Sequence, residues 1–191
     1  MSKISYLDAD ELLHLAITAS KNNDHETAII NLKQALEIAP DNPKVHYFLG
    51  AEHAQIGLYD RAIEEMTRAV NLDPDMVTAV FQLGLLHLTS GKIDAAIETW
   101  ALLDKLGDDH YLYLFKKGMI SLARDEFDEC EKCLKQGIAL NHSSEALNND
   151  MQKVISEIEA RRNNKQNNTA ESEQSTTDGN HFFLSNYLDS E

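Results

Sequence analysis

"PKVHYFLGAEHAQIGLYDRAIEEMTRAVNLDPDM", residues 43–76, decides the fold. Gly50 and Ala62 are small residues in the middle of two apolar helical patterns, and Gly57 marks a turn between them. Pro74, followed by Asp75, closes the stretch, because proline cannot continue a helix. Glycine inside a helix costs about 1 kcal/mol against alanine, so Gly50 needs a packing reason. Close approach supplies it: small side chains where two helices cross let the backbones come near, and bulky neighbours interlock around the crossing. The stretch predicts two antiparallel helices.

The same pattern recurs without a gap in blocks of 34 residues that begin at Ala9, Pro43, Val77 and Tyr111. Position eight holds Ala16, Gly50, Gly84 and Gly118, and position twenty holds Ala28, Ala62, Ala96 and Cys130. Around them stand Leu15, Leu49 and Leu83 at position seven, and Leu32, Met66, Trp100 and Leu134 at position twenty-four. Turns are expected near "KNND", "QIGL", "TSGK" and "ARDE", where Gly57 and Gly91 offer the backbone freedom a helix end requires. The reading is an all-α chain of paired antiparallel helices.

Leu49, Gly50, Gly57, Tyr59, Ala62, Ala69 and Pro74 sit where the tetratricopeptide repeat carries its signature, and residues 9 to about 142 resemble that family. The resemblance implies a right-handed solenoid of four helix pairs, a TPR superhelix, over residues 9–42, 43–76, 77–110 and 111–144, after a lead-in of residues 1–8. The third block departs from the pattern at Leu103 and Asp108, the latter in place of the closing proline. The fourth has Lys117 for the usual leucine and Gly137 for alanine, and is expected to be degenerate and the least stable. Leu147, Met151, Ile155 and Ile158 have helical spacing and predict a capping helix over residues 145–162. From about Arg161 the composition turns to Asn, Gln, Ser, Thr and Glu without periodicity, so residues 163–191 are expected to be a flexible acidic tail. That tail ends in an apolar motif of Phe182, Phe183, Leu184, Tyr187 and Leu188.

Charge narrows the partners. With 32 acidic against 17 basic side chains the net charge is −15, which repels phosphate backbones and anionic lipid. Neither nucleic acid nor membrane is expected as a partner. No basic start leads into an apolar run and no window holds eighteen consecutive apolar residues, so the chain reads as cytoplasmic. Cys130 and Cys133 form a CxxC pair, but no second ligand pair and no preceding strand accompany it, and the thiols read as small core side chains.

In the family resembled here the first helix of each pair lines the concave side through positions two, five, nine and twelve. Those positions are Asp10, Leu13, Ile17 and Ser20; Lys44, Tyr47, Ala51 and Ala54; Thr78, Phe81, Leu85 and Leu88; and Leu112, Phe115, Met119 and Leu122. Most are apolar. Either adjacent first helices bury part of this stripe against one another, or it forms a groove for an apolar or amphipathic peptide anchored by Tyr47, Phe81, Phe115 and Met119. The clamp with which some family members hold acidic chaperone tails is not expected, because its positions here are Leu13, Ile17, Phe48, Thr78 and Gln82. His53 and His87 share position eleven without a third ligand, so no metal is expected. There is no phosphate loop or nucleophile set, so no cofactor and no enzyme activity are expected. The reading is a protein-interaction adaptor or scaffold. A chaperone for a secreted or membrane-inserting client is the alternative. The tail motif would be a lid on the chain's own groove or a hook for another protein, with self-association through tail or groove as a further outcome.

Overall fold

The computed structural model describes residues 7–168, with side chains through Asn163. The tail motif at Phe182, Phe183, Leu184, Tyr187 and Leu188 lies outside the described residues. Those described form nine α-helices and one 3-10 turn, with no strand among them. The helices are α1 (Ala9–Lys21), α2 (His25–Ile38), α3 (Pro43–Gln55), α4 (Tyr59–Leu72), α5 (Val77–Thr89), α6 (Ile93–Ala101), α7 (Tyr111–Ala123), α8 (Phe127–Leu140) and α9 (Glu145–Asn168). The chain divides into two compact units between Ser90 and Gly91.

In the first unit α1 packs on α2, α3 on α4, and the pairs are joined by α2 against α3 and α4 against α5. The local signals that start these helices are strong. Asp8 caps α1 in a reciprocal box with Glu11, at 2.8 and 2.9 Å. Asp24 caps α2 through the Thr27 amide, and Asn42 caps α3 just ahead of Pro43. One residue with positive φ follows each of α1, α3, α5 and α7, and it falls at the same block position every time: Asn23 (57°), Gly57 (77°), Gly91 (72°) and Asp125 (59°). Two of the four turns are therefore closed without glycine.

The crossings are as tight as the small residues imply. A Cβ on Gly50 would lie 2.9 Å from Met66 Cγ, and one on Gly118 would lie 2.6 Å from Leu134 Cδ2. Position eight thus meets position twenty-four within the pair α3/α4 and within α7/α8. Leu15 departs from the expected pattern: it is 45% exposed, whereas Leu49 and Leu83 are buried. Leu49 joins a core cluster with Leu32 and Ala35 of the preceding helix α2. For Leu15 no preceding helix exists among the described residues, and α1 packs through Leu12, Leu13 and Ala16 instead.

In the second unit the third block ends differently from the others. α6 stops at Ala101, a 3-10 turn follows over Asp104–Leu106, and Gly107 takes φ 72°. Leu103 and Trp100 are both fully buried. Lys116 of α7, itself buried, closes this irregular end by donating to the Trp100 carbonyl at 3.1 Å and pairing with Asp104. A helix terminus without its proline is thereby satisfied by a cation that can reach the orphan carbonyl.

Gly137 has a packing role in the fourth block. A Cβ there would stand 2.4 Å from Phe115 Cε1, so the glycine leaves room for a ring that is fully buried against Tyr111, centroids 5.8 Å apart. α9 covers α8 with Met151, Ile155 and Ile158, all buried as their spacing implies. The helix does not end at residue 162 but continues to Asn168. Arg162 pairs with Glu131, at 2.8 Å, and with Asp128 of α8, which holds the helix down beyond its last apolar contact.

Candidate functional site

The expected peptide face consists of first-helix residues, and their burial divides them sharply. Phe81, Phe115, Met119, Leu122, Leu88 and Leu13 are all buried, with exposures from 0 to 6%. They stabilise the wall and leave almost no surface for a ligand. Ile17, Tyr47, Ala51 and Leu85 are half-buried. These four lie on α1, α3 and α5, all within the first unit, and Ile17, Ala51 and Leu85 occupy position nine of three successive blocks. Phe48 packs edge-on to Tyr47 with centroids 5.1 Å apart and, like Ile17, rests on the core cluster of α1, α2 and α3. The bulkier aromatics thus belong to the packing between helices, and a narrower apolar strip remains accessible.

Buried polar residues fix the helices that carry this strip. Glu52, 3% exposed, accepts hydrogen bonds from Ser20 Oγ at 2.5 Å and from His25 Nδ1 at 2.8 Å, tying α3 to α1 and α2. His46, 4% exposed, contacts Glu65 through Nδ1 at 2.6 Å and the Pro40 carbonyl through Nε2 at 2.8 Å. Through these two contacts α3 is clamped to α4 and to the turn before it. Burying such groups is tolerable only because each has a partner. Sequence reasoning passed over both clamps. The available signal was a glutamate and a histidine at positions of residues 43–76 where the neighbouring periodicity is apolar.

The CxxC pair and a capping histidine have structural roles. Cys130 and Cys133 are both buried. Burial pushes the Cys130 thiol up to about 12, with Cys133 and Glu131 adding to it, and burial raises Cys133 as well. A protonated, inaccessible thiol is a poor nucleophile and a poor metal ligand. His110 caps α7 by accepting from the Leu112 amide at 3.1 Å, and burial holds its pKa below the ordinary imidazole value, consistent with a bare Nδ1. Among the described residues no cluster of three His, Cys, Asp or Glu side chains is arranged to hold a metal ion, and no helix is long and apolar enough to cross a membrane.

Comparison with known proteins agrees with the helix-pair architecture. A family model described as the tetratricopeptide repeat matches residues 13–77 and 52–109, which together span half of the chain. Among solved structures, a thermophilic tetratricopeptide-repeat protein of Thermus thermophilus superposes with a TM-score of 0.67 at 18% identity, covering 81% of this chain and 82% of that one. MamA of Desulfovibrio magneticus gives 0.61 at 14% identity, covering 85% and 89%. A tetratricopeptide-repeat protein of Parabacteroides merdae gives 0.65 at 13% identity, covering 94% and 70%. No curated protein sequence matches the chain.

Proposed function

The chain belongs to the tetratricopeptide-repeat family, and from that premise we propose that it is a non-catalytic adaptor that holds an apolar or amphipathic segment of another protein along its first helices. The observation that carries this reading is the half-buried strip of Ile17, Tyr47, Ala51 and Leu85. A wall stabilised by buried Phe81 and Leu88 has no folding need to leave a second apolar row at its surface. Helix-in-groove recognition uses such a row, with aromatic and aliphatic anchors at helical spacing on the ligand. Polar clamps at Glu52 and His46 hold α3 in place, so the face is formed before a partner arrives and less ordering entropy opposes binding.

The test replaces accessible residues and spares the buried ones. Ile17→Lys with Leu85→Lys is expected to abolish capture of the native partner by the full chain while the helical circular dichroism stays that of the parent. Retention of every partner by a folded double variant would overturn the assignment of this face.

A further inference from the structure

On another side of the first unit, α2, α3 and α4 enclose an open cleft of about 410 Å³. Leu49 and His53 enter it from α3, two residues beyond Tyr47 and Ala51 respectively. Two residues turn an α-helix through about 200°, so the cleft lies on the opposite face of α3 from the apolar strip. Its floor is apolar at Leu36 and Leu49.

His53 beside them is 5% exposed, and its Nδ1 is buried without a hydrogen-bond partner among the described residues. A buried N–H with no acceptor is rarer and costlier than a bare lone pair, so the ring proton belongs on Nε2. Burial also holds the His53 pKa below the ordinary imidazole value; Glu65 opposes this, and Lys33 and Arg61 add to it. The ring is therefore a neutral donor.

Lys33 and Arg61 line the same cleft, and neither has a hydrogen-bond or ion-pair partner among the described residues, although acidic side chains outnumber basic ones 32 to 17 in this chain. The carboxylates nearby are mostly engaged elsewhere. Arg68 holds Glu64 at 2.7 Å and Glu65 at 3.8 Å, and Glu65 also accepts from His46. Glu37 is the remaining lining carboxylate.

We propose that this cleft binds a carboxylate borne on an apolar neighbour, the acidic side chain of a bound protein segment, held between Lys33 and Arg61 with His53 donating from Nε2. Two cations and one neutral N–H match the acceptors of a single carboxylate. A doubly charged phosphate fits less well, because the three lining glutamates oppose its second charge. The site is independent of the first-helix strip and faces away from it.

Ring-nitrogen resonances of His53 in the full-length protein test the proposal, with a capped leucyl-glutamate dipeptide as the probe. Expected is a saturable shift that weakens roughly tenfold in Lys33→Gln and again in Arg61→Gln, the loss typical of one charge-assisted hydrogen bond. The capped leucyl-glutamine control should leave the resonances in place. No saturable shift, an unchanged affinity in both variants, equal binding of the glutamine control, or a proton on Nδ1 would each overturn it. Tighter binding of inorganic phosphate than of the dipeptide would overturn the carboxylate assignment.

Discussion

Gly137→Ala separates two opposite expectations for the fourth block. From propensity alone the substitution should stabilise α8 by about 0.8–1 kcal/mol. The structure predicts the reverse. The new methyl would lie 2.4 and 2.5 Å from two ring carbons of Phe115, where ordinary contacts fall between 3.4 and 4 Å. The ring would have to retreat by about 1 Å, and it is fully buried with Tyr111 at its edge. Overpacking of a close-packed core typically costs about 1–3 kcal/mol. After the propensity gain, a net loss of up to about 2 kcal/mol is expected, or a fall in Tm of up to roughly 8 °C for a chain of this length. Trp100, the single tryptophan, lies in the same unit and gives a fluorescence signal for urea unfolding beside circular dichroism. Phe115→Leu in the Gly137→Ala background should recover part of the loss, with a coupling energy of about 1 kcal/mol. Gly50→Ala should cost less, since its nearest obstacle is the flexible Met66. A rise in stability in Gly137→Ala, or simple additivity with Phe115→Leu, would show that the Phe115 ring does not oppose a methyl at this crossing.

The Cys130 thiol, raised to about 12 by burial, predicts stability that is complete below pH 9, its ordinary value, and that falls as pH rises because the unfolded chain ionises first. The loss should reach about 1.4 kcal/mol at pH 10, and Cys130→Ala should remove that part of the difference in urea midpoint between pH 8 and pH 10. His53 carries the opposite sign. Its lowered pKa means stability that is present above pH 6.5 and lost as pH falls, so His53→Gln should flatten the slope of unfolding free energy between pH 6.5 and pH 5. Asn23→Gly and Asp125→Gly, which relieve positive φ at 57° and 59°, should each stabilise by about 0.5–1 kcal/mol in thermal melts; unchanged or lower Tm in both would contradict the assignment of strain there.

The helix pairs are legible in the sequence because their signals are local and repeated. Gly50 and Gly118 announce close crossings by standing in apolar helices at one register, and Met66 and Leu134 are the side chains they meet. Asp8, Asn42 and Pro43 mark helix starts through chemistry confined to a few residues. The face expected for a ligand is harder to read. Block positions say which way a side chain points from its own helix but not what packs over it, so Phe81 and Phe115 look like accessible anchors in the sequence and are buried in the fold. Long-range polar contacts are equally hidden. Arg162 meets Glu131 across 31 residues, and Ser20 meets Glu52 across 32, spacings that no periodicity encodes. The hydrogen bond from Lys116 back to the Trp100 carbonyl at the end of α6 becomes visible only once α7 is in place.

The crossing of α3 and α4 carries a further consequence. Met66, 1% exposed, fills the space against Gly50 that a single methyl would overfill. A sulfoxide oxygen has no more room there than that methyl, and peroxide cannot reach the thioether while the two helices are closed. Oxidation of Met66 is therefore limited by how often this helix pair opens. Its rate under excess peroxide, followed by mass spectrometry, makes one buried sulfur a clock for the breathing of the second helix pair.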